Sequence, residues 1–419
     1  LRLSYGSLGN QKTVGYYDYL QLINTGAVMN YAFGDTTKGD YAYESAPNST
    51  DLTWETVITK NIGLDLGFLN NRLNVSFDAY IRDTKDMLMA GKTLPGVYGA
   101  SSPRMNVADL RTKGWEASVT WGDSFTLASK PFNYRIMAGI GDNTSKVTKY
   151  DNPNRTLTDP YEGQQLGEIW GYVVDGYFKT DEEARNYKVD QSFVNQMINA
   201  SALDNGLHAG DLKFVDLDGN NKIEQTTSAN DRKDMKVIGN SLPRYNYNFG
   251  ISADWYGIDF SVLFQGIGKQ NWYPGAETSM FWGPYSRPYA SFIPSDFMSQ
   301  VWSEENTNAY FPRPRGYVAL GSNRELAVVN TKYLQNLAYC RLKNLSIGYT
   351  LPDKWLSKIG FEKIRVYFSG ENLLTFTKLH SDYIDPEQAS ASNSWKTSKS
   401  DANIYPWAKT YSFGVDITF

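Results

Sequence analysis

Residues 62–81 read Ile62-Gly63-Leu64-Asp65-Leu66-Gly67-Phe68-Leu69-Asn70-Asn71-Arg72-Leu73-Asn74-Val75-Ser76-Phe77-Asp78-Ala79-Tyr80-Ile81. Ile62, Leu64, Leu66 and Phe68 alternate with Gly63, Asp65 and Gly67, which is the period-two signature of a strand with one apolar face. Leu73, Val75, Phe77, Ala79 and Ile81 repeat the pattern on the other side of Asn70-Asn71. That dipeptide tolerates the positive φ of a tight hairpin turn. Each arm is about as long as a strand that crosses a bilayer at a tilt.

The same alternation recurs along the chain, at Trp115–Trp121, Phe132–Ile140, Tyr245–Trp255, Ile258–Phe264, Leu345–Tyr349, Ile364–Phe368 and Tyr411–Phe419. Aromatics sit near several strand ends, as interfacial girdles do. Strands are predicted at 1–8, 54–68, 73–84, 111–122, 131–142, 244–255, 258–267, 338–350, 363–375 and 405–419. With that assignment every long connection falls on one side and every short one on the other. Large outer loops are expected at 143–243 and 268–337, which is the loop asymmetry of an outer-membrane barrel. The predicted fold class is therefore all-β, a transmembrane antiparallel barrel contributing about ten strands. Ten strands with such loops are too few for a wide lumen, so further strands and anything plugging it are expected before Leu1.

Composition agrees. The 419 residues carry 41 basic and 45 acidic side chains, a formal net charge of −4, so no clustered basic face points to nucleic acid. Aromatics make up 15%, led by 30 tyrosines, and there are 35 glycines, a mixture suited to twisted strands and turns. One cysteine, Cys340, forms no internal disulfide, and two histidines, His208 and His380, leave little for zinc or a triad. No run approaches the roughly 18 apolar residues of a membrane helix, and mean hydropathy is negative, which an alternating barrel permits.

The chain ends Ser412-Phe413-Gly414-Val415-Asp416-Ile417-Thr418-Phe419. Gly414, Ile417 and the terminal Phe419 resemble the signal read by the outer-membrane assembly machinery, on a strand expected to finish on the periplasmic side.

Further segments carry a family resemblance. Ser4-Tyr5-Gly6-Ser7-Leu8-Gly9-Asn10-Gln11, Leu52-Thr53-Trp54-Glu55 with Asn61-Ile62-Gly63-Leu64-Asp65, and Thr84-Lys85-Asp86-Met87-Leu88 form its first part. Gly171-Tyr172-Val173-Val174-Asp175-Gly176-Tyr177-Phe178, Val237-Ile238-Gly239-Asn240 with Leu242-Pro243, Gly348-Tyr349-Thr350-Leu351-Pro352 and Gly370-Glu371-Asn372-Leu373-Leu374-Thr375 continue it. In this order, from residue 4 onward, they resemble the SusC/RagA family of TonB-dependent transporters. The resemblance implies an outer-membrane barrel of about 22 strands occluded by an N-terminal plug. It also implies a SusD-like lipoprotein lid, and energy from TonB–ExbB–ExbD delivered through an N-terminal region outside this sequence. The cargo would be an oligosaccharide or, second, a peptide.

Two segments outside the strands could hold ligands. Asp216-Leu217-Asp218-Gly219-Asn220-Asn221-Lys222-Ile223-Glu224 follows the first nine positions of a calcium loop. Ligands for Ca²⁺ are expected from Asp216, Asp218, Asn220, the Lys222 carbonyl and Glu224. Asn221 stands where glycine is usual, and asparagine tolerates that left-handed turn. Thr227 occupies position twelve and cannot supply the bidentate carboxylate. The family resemblance, whose similar loops place an Asp-Arg pair as at Asp231-Arg232, implies Asp231 as the closing carboxylate if 225–230 loop out. The aromatic and arginine-rich stretch 268–318 supplies Trp272, Tyr273, Trp282, Tyr285, Arg287 and Arg313. Exposed rings there could stack on sugars and guanidinium forks could bind carboxylates, or the same residues could pack loops together. No nucleophile–base pair or paired carboxylates stand out, so no catalysis is predicted. The alternative reading is a secreted or surface β-sheet glycan-binding protein with a calcium loop.

Overall fold

The computed structural model describes residues 1–11, 20–26, 32–33, 37–38, 40–45, 47–49, 52–91, 95–99, 102–195, 206–286, 293–314, 316–321, 324–356, 360–389, 399–400 and 405–419. Ten strands make one antiparallel sheet in chain order. They are β1 (Arg2–Asn10), β2 (Glu55–Phe68), β3 (Leu73–Ala90), β4 (Arg104–Leu127), β5 (Lys130–Lys149), β6 (Arg244–Trp255), β7 (Ile258–Lys269), β8 (Tyr339–Thr350), β9 (Lys363–Thr377) and β10 (Thr410–Thr418). All ten predicted strands are present.

The short connections lie together at one end. Leu69, Asn70 and Asn71 adopt φ of 55°, 56° and 63°, Ala128 and Ser129 adopt 47° and 62°, and Tyr256 and Gly257 adopt 50° and 83°. These are left-handed conformations that match hairpin turns to strand twist. The Leu127↔Lys130 and Trp255↔Ile258 pairs close two of the hairpins on two-residue turns. The long connections 11–54, 91–103, 150–243, 270–338 and 378–409 leave from the other end.

Several strands run past their predicted limits, β3, β4 and β5 by the most. β3 and β4 continue to Ala90 and from Arg104, through a segment expected to be loop. The register shifts between Thr84 and Met87, where Asp86 takes φ 55°. That bulge flips the alternation, so a period-two reading stops there while the ladder continues. Side chains secure the bulge. Lys85 pairs with Asp109 at 2.6 Å, Asp109 accepts the Asp86 amide at 3.0 Å, and buried Glu55 accepts the Leu88 amide at 3.0 Å. β4 likewise extends to Leu127, where Phe125 and Phe132 pack with ring centroids 5.0 Å apart.

The sheet has two unlike faces. Ile62, Leu64, Leu66 and Phe68 on β2 and Phe77 and Ile81 on β3 remain exposed on one face, as do Ile136 and Ile140 on β5 and Ile251 on β6. The other face carries Ser76, Asp78, Glu116, Asn246 and Asn248 around a shallow polar depression. Two ion pairs on this polar face step over an intervening strand at a glycine. Arg2, Gly63 and Asp78 are in register across β1, β2 and β3, and Arg2 reaches Asp78 at 2.8 Å and Asp65 at 2.7 Å. A Cβ at Gly63 would lie 2.5 Å from Asp78 Oδ1. Likewise Arg365 on β9 reaches Asp259 on β7 at 2.6 Å across Gly348 on β8, and Asp416 on β10 at 3.2 Å. A Cβ at Gly348 would lie 2.6 Å from Arg365 Nε.

Gly348→Val should therefore break the bridge between β7 and β9 and destabilise the sheet by about 1–3 kcal/mol. Heat denaturation of the full-length protein, followed by its gel shift, measures this. Gly122→Val, whose Cβ would meet only the Tyr134 carbonyl at 3.8 Å, is the control. Equal denaturation temperatures for the two variants would remove the glycine bridge as a stabilising feature.

Candidate functional site

The apolar core of the described residues lies in the long connections rather than in the sheet. Its largest fully buried side chains are Trp272, Trp282, Tyr273, Tyr285, Tyr333 and several phenylalanines. The strands cannot supply such a core, because one face of each is apolar outward and the other is polar. The described residues of segments 172–223, 272–337 and 379–389 instead pack against one another into a folded loop domain.

The domain is tied to the wall by charge. Arg341 on β8 is 2% exposed and donates to Asp385 and Glu387, each at 2.6 Å, and to Thr375 Oγ1 at 3.0 Å. Lys343, two residues on, reaches Glu387 at 2.8 Å. Asp385 also accepts the Glu387 and Trp407 amides at 2.9 and 3.2 Å. A carboxylate with these donors in a dry site fixes the loop after β9 over the top of β8.

The predicted ligand-stacking rings are core. Trp272, Tyr273 and Trp282 are 0% exposed and Tyr285 is 1% exposed, so none offers a face to a ligand. Their polar tips are satisfied internally. Tyr273 Oη donates to the Leu326 carbonyl at 2.8 Å, Trp282 Nε1 to Gly275 at 3.0 Å and Tyr285 Oη to Pro312 at 2.6 Å. Complete burial pushes the Tyr273 hydroxyl well above its usual range, leaving it a fixed donor. Arg313 is also engaged, 2.9 Å from fully buried Asp211. Arg287 lies outside the described residues. The expectation of exposed stacking rings and an open guanidinium fork is thus corrected: packing a core within loops this long takes these aromatics, and Asp211 takes the cation.

The acidic loop has the predicted backbone. Gly219 and Asn221 adopt φ of 78° and 63°. Asp216 accepts the Gly219 and Asn221 amides, each at 2.7 Å, and Asn220 Oδ1 accepts the Lys222 amide at 2.8 Å. The carboxylate that joins Asp216 and Asp218 is not the expected Asp231. Asp231 is exposed, whereas Asp234 is fully buried and brings a carboxylate oxygen within 4.8 Å of those of Asp216 and Asp218. The hydroxyl of Thr226 donates to the carbonyls of Ser228 and Asp231, closing a tight turn that turns Asp231 outward and returns the chain at Asp234. Asp234 accepts the Leu217 and Glu224 amides at 2.8 and 2.7 Å. Burial, with Asp218 and Asp216 beside it, still raises its carboxyl above the usual range. The Asn220 amide nitrogen bridges Asp218 and Glu224 at 3.2 Å each, and Lys222 and Lys233 stand 3.8 and 3.5 Å from Glu224. The donor set is oxygen-only and strongly anionic, which suits a hard divalent cation. Asp234 could be found in sequence only as the second of two acids downstream of the motif, and the turn decides between them.

A family model described as "TonB dependent receptor-like, beta-barrel" matches residues 1–373. The chain belongs to this family. TonB-dependent receptor P3 of Formosa agariphila is 28% identical over the whole chain, which covers 39% of that relative. TonB-dependent receptor SusC of Bacteroides thetaiotaomicron is 25% identical, again over the whole chain and 37% of the relative. The chain thus spans about two fifths of the length of these relatives. The RagAB peptide importer in its open-open state superposes over the whole chain and 40% of its own, with a TM-score of 0.71 at 22% identity, a likeness of fold. The SusC/RagA resemblance read from the motifs is borne out, and a barrel of this family is an outer-membrane fold.

Arg341→Met should leave Asp385 and Glu387 without their buried partner and cost about 3–5 kcal/mol locally. Hydrogen exchange at Leu379 and Ala389 should accelerate while exchange along β2–β5 stays unchanged. Uniform protection in the variant would show that the loop is held by its apolar contacts alone.

Proposed function

We propose that this chain forms wall and outer loop domain of an energy-coupled importer of a large nutrient, an oligosaccharide before a peptide. The supporting observation is the placement of the aromatic core. A loop domain folded at one end of a wall, and latched to it by Arg341, is a rigid vestibule above a polar inner face. A SusD-like surface lipoprotein would close over the vestibule, and TonB–ExbB–ExbD would act through a plug region outside this sequence. The loop end faces the cell exterior and the hairpin end the periplasm, with the C-terminus there. Gly414, Ile417 and Phe419 would serve the assembly machinery. Gly414 also has a local reason, since the Tyr367 ring of β9 lies over it. The order of cargoes follows the family resemblance of the motifs, and the fold's likeness to a peptide importer keeps peptide as the second cargo. We assign no catalytic role.

A surface glycan-binding protein is the competing reading, and the outward apolar band on β2–β6 speaks against it. The full-length protein should leave membranes only with detergent and migrate faster on gels before boiling. Deleting its gene should abolish growth on its oligosaccharide while sparing growth on the monosaccharide. Extraction in plain buffer would sink the barrel, and unimpaired growth would sink the importer.

The acidic loop is proposed to take Ca²⁺ on Asp216, Asp218, Asn220, Glu224 and the Lys222 carbonyl, closed by Asp234. The ion would neutralise converging carboxylates and hold the turn that carries Asp234. Asp234 has a raised folded pKa, so it favours folding while protonated, and that contribution is lost as pH rises through the folded value. Calcium replaces the missing proton. At 100-fold over its Kd it should stabilise the protein by about 2.7 kcal/mol at neutral pH, with the effect fading below the carboxylate range. Thermal melts of wild type and Asp234→Asn with and without Ca²⁺ provide the test, and identical calcium responses would refute the assignment.

A further inference from the structure

A groove of about 460 Å³ lies in the loop domain between residues 155–170 and 229–237. Its volume is within the range of small-ligand sites. The walls are joined by the backbone. Leu157 donates to Thr227 and Ala229 to Arg155, each at 2.9 Å, and Trp170 pairs with Val237 across two short strands, Glu168–Tyr172 and Met235–Asn240. Asn152 braces the turn below Arg155, donating to the Thr156 and Pro160 carbonyls at 3.0 Å each. Arg155 itself holds a left-handed φ of 46°.

The floor is aromatic and self-satisfied. Tyr161 is buried and its hydroxyl donates to Glu168, which also accepts Trp170 Nε1 at 2.9 Å. Burial, and then the Glu168 carboxylate, push the Tyr161 hydroxyl well above its ordinary value, so it remains a donor to that carboxylate. Glu168 is therefore already occupied by two donors. The rim is different. Arg155, Arg232 and Lys236 are exposed and line the groove, and among the described residues none of the three has an ion-pair partner. Lys213, Lys233 and Arg313 in the loop domain, and Arg341 and Lys343 on β8 beneath it, are by contrast paired with carboxylates. Among the described residues Glu162 is the one further acid in the lining, so three cations face one uncommitted carboxylate.

Three cations without ion-pair partners, Arg155 lying over the Tyr161 ring at 6.0 Å, around a half-buried indole suit a flat ring that bears anions. We propose that this groove binds an acidic oligosaccharide, with Arg155, Arg232 and Lys236 holding its carboxylate or sulfate groups and Trp170 packing against a sugar face. A peptide strand fits less well, because the two short strands flanking the groove are already paired with each other at Trp170↔Val237 and Gly171↔Lys236. The inference rests on the importer reading and narrows its cargo.

The test uses the full-length protein in detergent, titrated calorimetrically with tetragalacturonate, a sulfated tetrasaccharide, neutral maltotetraose and tetraglutamate. The two acidic sugars should bind and maltotetraose should not. Affinity should fall about tenfold as salt rises from about 50 to about 500 mM. Arg232→Ala with Lys236→Ala should weaken binding by about tenfold or more, without moving the melting temperature, because both side chains are on the rim. Comparing the two acidic sugars separates carboxylate from sulfate, and either one binding supports the site. The proposal is overturned if maltotetraose binds as well as they do, or if the double variant binds them undiminished. Equal binding of tetraglutamate would reassign the groove to acidic peptides and overturn the sugar assignment. Absence of acidic-sugar binding alongside intact gene-dependent growth removes the groove and leaves the importer. Binding without growth dependence would do the reverse.

Discussion

Lipid offers no partner for a backbone amide or carbonyl, and this one constraint organises the molecule. Every peptide group in the wall must be paired with a neighbouring strand, so the strands run antiparallel and consecutive from β1 to β10. The pleat then forces alternate side chains to opposite faces. Ile62, Leu64 and Leu66 go to one side while Asp65 and its ion-pair partner Arg2 go to the other. Neither face can hold a conventional core. The hydrophobic residues that would form one are displaced into the long connections, where Trp272, Trp282 and Tyr333 are buried completely.

That displacement explains how loops of this length hold a shape. A 94-residue connection such as 150–243 would ordinarily be too long to stay ordered. Here its described residues share a core with those of 270–338 and of the segment after β9, and so belong to one domain. Charge then joins domain to wall. The buried Arg341 guanidinium sits on a rigid strand and grips two carboxylates of the loop, which sets where the loop domain stands. The polar inner face uses the same chemistry in a wetter setting, with glycines at positions 63 and 348 clearing a path for side chains to cross a strand.

Much of this was legible from local pattern. Alternation found all ten strands, and Asn70-Asn71 marked a hairpin, because period and turn chemistry act over a few residues. The pattern failed where tertiary contacts overrode it. Asp86 bulges and reverses the alternation, so β3 and β4 run on through a predicted loop. Ala128-Ser129 carries no turn signature, yet both residues take positive φ because the flanking strands impose it. In the acidic loop the motif identified Asp216, Asp218 and Asn220, which lie within five residues of one another. The acid that joins them depended on a hydrogen bond from Thr226 that no spacing rule encodes, and the carboxylate brought beside Asp216 and Asp218 is that of Asp234.

The sequence by itself determined which residues face lipid and which face the polar interior, because the pleat fixes that choice with a period of two. It also determined the order of strands and the asymmetry between short and long connections. Only the tertiary structure decided what the aromatics of 268–318 do. A tryptophan has the same composition whether it stacks on a ligand or fills a core. Burial, set by contacts between segments more than a hundred residues apart, is what assigned Trp272 and Trp282 to the core and left Arg155, Arg232 and Lys236 on an open rim.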